Sequence, residues 1–126
     1  MLLNLSENSS ETLQGQLTRQ IRGLVLSGDL EAGAELPSIR GLAGDQKVSV
    51  ITVQRAYEAL EREGLIQARR GRGFFVLPLS PDDRRSLALA RLDEGLQPVL
   101  EQAIAEGLKP SEVVRRVTLI LEGVPA

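Results

Sequence analysis

The stretch LPSIRGLAGDQKVSVITVQRAYEALEREGLIQARRGRGFFV, Leu36 to Val76, decides how this chain folds. Pro37 opens a short helix whose inward face is Ile39, Leu42 and Ala43. Gly44-Asp45-Gln46-Lys47 reads as a turn. Ser49 is placed to cap a second helix, its hydroxyl oxygen accepting from the amide of Ile51 or Thr52. Val53, Ala56, Tyr57 and Leu60 recur at helical spacing and form a buried stripe, leaving Gln54, Arg55, Glu58 and Glu61 facing away. Gly64 stops that helix. Leu65–Ala68 and Phe74–Leu77 then read as a hairpin across Arg70-Gly71-Arg72-Gly73. Glycines at such a tip permit positive φ and close approach to another backbone. The order is helix, turn, helix, wing. One helix of such a unit fits a DNA major groove while the adjacent loop reaches the backbone or minor groove.

Upstream, residues 1–8 read as a loose arm. Ser9 or Ser10 is placed to cap a first helix, with Leu13, Leu17, Ile21 and Leu24 on one buried stripe and Ser27-Gly28-Asp29 at its end. Leu30 to Leu36 reads as a turn and a short extended segment. Downstream, Leu77-Pro78-Leu79-Ser80-Pro81 is the best boundary, giving a unit over residues 9–77 and a helical segment over 81–126. In that segment Leu89, Leu92, Leu96, Val99, Leu100, Ala103 and Ile104 repeat at three-four spacing, and Gly107 closes the helix. Pro98 predicts a kink near Gly95 or a break into two helices there. Pro110 fits the first position of a last helix, with Leu108 and Val113 at staple spacing. Val113, Val117, Ile120 and Leu121 form its stripe. Two such helices cannot build a core alone. Their apolar faces need the preceding unit or a second copy of the segment. The length of the stripe favours a second copy in a C2 pair. A mixed polar face of Asp, Glu and Arg argues against a membrane-surface helix.

The 126 residues are 42% hydrophobic and only 2% aromatic, so the core must be aliphatic. The expected fold is mainly α with a small β-hairpin wing: a winged helix-turn-helix domain and a short C-terminal helical dimerisation segment. Cys and His are absent, which excludes thiolate chemistry, ordinary zinc sites and an imidazole base. No cofactor is expected. The N-terminus lacks a signal pattern, and no run approaches the roughly 18 apolar residues of a membrane span. A soluble cytoplasmic protein is expected. The net charge of −2 is weak footing for a nucleic-acid binder. Residues 1–80 nevertheless balance nine Lys/Arg against nine Asp/Glu, and residues 81–126 carry six against eight. Arg69, Arg70 and Arg72 cluster with no acid between them.

Four elements carry a family resemblance. Leu36-Pro37-Ser38-Ile39-Arg40-Gly41-Leu42-Ala43 is similar to an LPSxRxLA motif. Val48-Ser49, Thr52-Val53-Gln54-Arg55-Ala56-Tyr57 and Leu60-Glu61-Arg62-Glu63-Gly64-Leu65 follow a VS..TV.RAY..LE.EGL pattern. Gly71-Arg72-Gly73-Phe74-Phe75-Val76 follows a GRGxFV wing. In order and spacing, over roughly residues 9–77, these resemble the GntR family of bacterial winged-helix transcription regulators. The short helical tail resembles the YtrA subfamily, which dimerises through its C-terminal helices. The resemblance implies a homodimer on a palindromic double-stranded DNA operator, usually as a repressor. It leaves room for a small-molecule effector of unknown identity.

By the same resemblance Arg40 is the phosphate contact of the first of the two paired helices. Ser49 and Thr52 contact the backbone at the start of the recognition helix. Gln54 and Arg55 lie on its outward face, and Arg70, Gly71, Arg72 and Gly73 form the wing tip. The chain departs from the family at Val50 and Ile51, where Arg and a small polar residue are frequent. Val50 cannot grip guanine. It can touch a thymine methyl, or Gln54, the wing and DNA shape carry the reading. This departure and the net acidity favour an alternative, a protein-interaction adaptor that no longer binds DNA. An enzyme finds no support: Lys47 and Lys109 are the only lysines, and no phosphate loop or spaced catalytic pair is present.

Overall fold

Thr12, rather than Ser9 or Ser10, caps the first helix. In the computed structural model, which describes residues 1–123, α1 spans Leu13–Ser27. The Thr12 hydroxyl accepts from the Gly15 amide at 3.0 Å. Ser9 is spent one turn earlier, on the amide of Glu11. Leu17, Ile21 and Val25 are fully buried, while Leu13 and Leu24 are half-buried. Gly28, at φ +86°, ends the helix in the left-handed region that glycine tolerates.

The N-terminal arm is docked, not loose. The amide of buried Gln16 donates to the carbonyls of Ser6 (2.7 Å) and Glu11 (2.8 Å) and accepts from the Ser6 amide at 2.8 Å. Gln20 exchanges a similar pair with the Asn4 backbone. Two glutamine side chains thus pair with the arm as a neighbouring strand does, and Leu3 and Leu5 pack against the core. Hydrophobic spacing carries no trace of this.

Helix α2 covers Ile39–Gln46 and α3 covers Val50–Arg62. The expected turn begins later than read, because the helix runs through Gln46 and ends at Lys47 with φ +55°. Val53, Ala56, Tyr57 and Leu60 are all fully buried, and α1 and α2 both pack on α3. A bidentate ion pair from Arg22 to Glu63, at 2.7 and 2.9 Å, ties α1 to the end of α3.

Strands β1 (Ile66–Arg69) and β2 (Gly73–Val76) pair antiparallel, with Ile66 opposite Val76 and Arg69 opposite Gly73. The other edge of β2 is occupied as well. Gly33 donates to Val76, Val76 to Ala34 and Leu36 to Phe74, all at 2.8–2.9 Å. The segment before α2 therefore acts as a third strand and fixes the wing to the entrance of the helix pair.

The chain divides into two compact units, Met1–Leu87 and the residues from Ala88 onward, so the division falls inside α4, Pro81–Ala105. Ser80 accepts from the Asp83 amide at 3.0 Å, and Asp82 and Asp83 suit the positive end of the helix. The helix does not break at Gly95 or Pro98. A proline deletes one amide donor, and strong helix formers (Leu, Ala, Glu and Gln) flank it on both sides. Gly107 and Leu108 close α4 by donating to Ile104 and Ala103. Helix α5, Pro110–Leu121, starts with proline as expected, and Glu112 accepts from the Lys109 amide. No residue of α4 or α5 is buried in the single chain. Residues 124–126, the end of the expected helical segment, lie outside the described residues. Among the described residues no helix is long and apolar enough to cross a membrane.

Candidate nucleic-acid interface

Three features of the first unit leave cations and short polar groups at the surface. The first is the start of α2. The Ser38 hydroxyl accepts from the Gly41 amide at 3.0 Å, which orients the first turn and puts Arg40 in solvent. The second is the start of α3. The Ser49 hydroxyl accepts from the Thr52 amide at 3.0 Å and lies 2.8 Å from the Thr52 hydroxyl. Val50 and Ile51 follow this cap, 43% and 58% exposed. Gln54 and Arg55 lie one turn on, both exposed.

The third feature is the wing. Arg72 donates its amide to the Arg69 carbonyl at 2.8 Å, closing a four-residue turn with Gly71 at φ +74°; Gly73 follows at φ +102°. Side chains rarely adopt either conformation, so glycine is required to present Arg70 and Arg72 at the tip. Arg69 behaves differently from these two. Its guanidinium lies 4.3 Å over the Phe75 ring, a cation–π contact that commits it to the hairpin.

Among the described residues, Arg40, Arg55, Arg70 and Arg72 have no ion-pair or side-chain hydrogen-bond partner. Two acids of α3 have partners of their own, while the Glu35 carboxylate lies near Gly73 of the wing. Glu58 accepts from the Gln54 amide at 3.1 Å, and Glu61 accepts from the Ala68 backbone amide at 3.1 Å. The second contact links α3 directly to β1, so helix and wing hold a fixed relation. Sequence reading passed over both roles. The Gln54–Glu58 spacing of four was the available signal, while Glu61 to Ala68 depends on the hairpin's path. Four exposed guanidinium groups with no partner among the described residues, on a neutral unit, are free to meet a polyanion.

In the second unit Leu89, Leu92, Val99, Ile104, Val117, Ile120 and Leu121 are exposed. Leu96, Leu100, Ala103 and Val113 are half-buried. The expected stripe is thus present as an open apolar face.

The family profile "Bacterial regulatory proteins, gntR family" matches residues 13–76. The HTH-type transcriptional repressor YtrA of Bacillus subtilis is 37% identical over 75 residues, 60% of this chain and 58% of that protein. An HTH-type transcriptional regulator of Mycobacterium tuberculosis is 33% identical over 116 residues, 92% of this chain and 91% of that protein. Among solved structures, YtrA from Sulfolobus acidocaldarius, a GntR-family transcription factor, superposes with a TM-score of 0.56 at 25% identity. That alignment covers 98% of this chain and all of the other.

Proposed function

This chain belongs to the GntR family of bacterial regulatory proteins, with a YtrA-like organisation, and from that premise we propose that it represses transcription as a homodimer on a palindromic operator. The observation that carries the proposal is that Arg40, Arg55, Arg70 and Arg72 have no partner among the described residues, on the unit bearing the Ser49-capped helix and the glycine-tipped wing. Phosphate contacts from Arg40, Arg70 and Arg72, with Ser49 and Thr52 at the start of α3, set the register. The outward face of α3 reads base edges. The open apolar face of α4 and α5 pairs with its copy in a second chain, placing two heads one helical turn of DNA apart. Covering a promoter then excludes polymerase.

Selecting bound duplexes from a random pool tests this reading. The expected product is an inverted repeat with half-site centres about 10–10.5 base pairs apart. Affinity for it falls linearly in log salt. The exposed Val50–Ile51 pair favours a second reading, a protein-interaction adaptor. Failure to enrich any duplex, with salt-independent capture of a protein partner, would replace the first reading by the second.

A further inference from the structure

Resting on the DNA-binding reading above, we infer that the start of α3 selects A·T base pairs, through thymine methyl contacts by Val50 and Ile51 and an adenine contact by Gln54. Val50 and Ile51 occupy the first two helical positions and are 43% and 58% exposed. Neither serves the cap, which Ser49 supplies, and neither serves the core, which begins at Val53. Two branched apolar side chains therefore occupy the end of the helix best placed to meet a groove floor. On the major-groove edges of the four base-pair orientations, the one apolar group is the 5-methyl of thymine.

Gln54 supplies an independent indication. It follows Val50 by one helical turn, on the same face. Its side-chain nitrogen donates to the Glu58 carboxylate at 3.1 Å. A carboxylate accepts and cannot donate, so the amide nitrogen, not the oxygen, must face it. The second N–H and the carbonyl oxygen are unspent by any described residue. One donor and one acceptor on a single amide suit N7 and N6 of adenine. An arginine at position 50 would grip guanine; with valine there, the same face complements adenine and thymine. Glu58 is a positioning residue in this arrangement.

The test uses the full chain and its selected operator. Each thymine of a half-site is replaced in turn by deoxyuridine, which removes the 5-methyl and nothing else. Wild-type protein is expected to lose about fourfold in affinity for each contacted methyl. Val50→Ala or Ile51→Ala should bind thymine and deoxyuridine duplexes equally at one of those positions. Gln54→Ala should relax base choice at an adjacent adenine. All three positions are exposed, so circular dichroism should show unchanged helix content. Sequence-specific binding with every deoxyuridine silent, or a half-site of G·C pairs alone, overturns this inference and leaves the regulator standing. Absence of any specific duplex binding overturns both.

Discussion

The Tyr57 hydroxyl donates to the Pro37 carbonyl at 2.8 Å, fastening the middle of α3 to the segment just ahead of the Ser38 cap of α2. The same ring meets Phe74 of β2 edge-on, with centroids 5.0 Å apart. Both helices of the pair and the wing thus converge on one fully buried side chain. In a core otherwise built from aliphatic groups, this contact sets the angle between the elements that face outward. A proline carbonyl has no helical partner here, and the phenol satisfies it without water.

Burial raises the Tyr57 pKa above its ordinary value, because the phenolate loses its hydration. The unfolded chain releases that proton near the usual value of about 10. Above that pH the unfolded state binds fewer protons than the folded one, so stability falls as pH rises. Tyr57 should contribute fully below pH ~10 and progressively less above it. Tyr57→Phe should lose about 1 kcal/mol at neutral pH and lack the alkaline decline. Urea midpoints of both proteins across pH measure the difference, and parallel curves would contradict the assignment. The chain has one tyrosine, so phenolate absorbance reports this group alone.

Much of the first unit was legible in the residue pattern, and the parts that were not share a cause. Val53, Ala56, Tyr57 and Leu60 announce their face because helix period and burial coincide there. Ser49 announces its cap because a small hydroxyl precedes a periodic run. The docked arm depends on Gln16 and Gln20, whose polar side chains imitate a strand and leave no periodic signal. Residues 33–36 join β2 by backbone hydrogen bonds, to which side-chain identity is nearly blind. At Pro98 the helix formers on both sides carry α4 through, so the break expected as one of two outcomes is absent. The wing arginines were legible as a group, and the cation–π contact supplies the physical reason that Arg69 stands apart from Arg70 and Arg72.

Ser38 and Gly41 should show strong non-additivity. A methyl group at Gly41 would lie 2.8 Å from the Ser38 hydroxyl oxygen, too close for both to keep their places. The hydroxyl would swing out and surrender the cap, at a cost of about 1 kcal/mol. Alanine gains nearly the same amount in helix propensity over glycine. Gly41→Ala should therefore be close to neutral in the wild-type chain and stabilising by about 1 kcal/mol in a Ser38→Ala background. A denaturation cycle with equal effects in the two backgrounds would remove the clash from consideration.

Arg72→Ala isolates the role of the wing tip. Gly71 and Gly73 keep the backbone turn, and the Arg72 side chain has no described protein partner, so folding stability should change by less than about 0.5 kcal/mol. Binding should weaken by a similar factor on every DNA sequence. The slope of log affinity against log salt should shrink by about 0.9, one phosphate's worth. A sequence-dependent loss with an unchanged slope would instead indicate base reading in the minor groove.

Ile120→Glu separates folding from pairing. Ile120 is 62% exposed in the single chain, so the protomer loses little when it becomes polar. In a C2 pair the side chain is buried twice. At about 1.5–3 kcal/mol for each isoleucine, the dimer loses roughly 3–6 kcal/mol, at least a hundredfold in its dissociation constant. Leu96→Glu on α4 should act in the same direction. Sedimentation should show monomers with unchanged helix content. Operator affinity should drop, because one head then binds without the second held beside it. A dimer that survives both substitutions places the interface elsewhere on the chain.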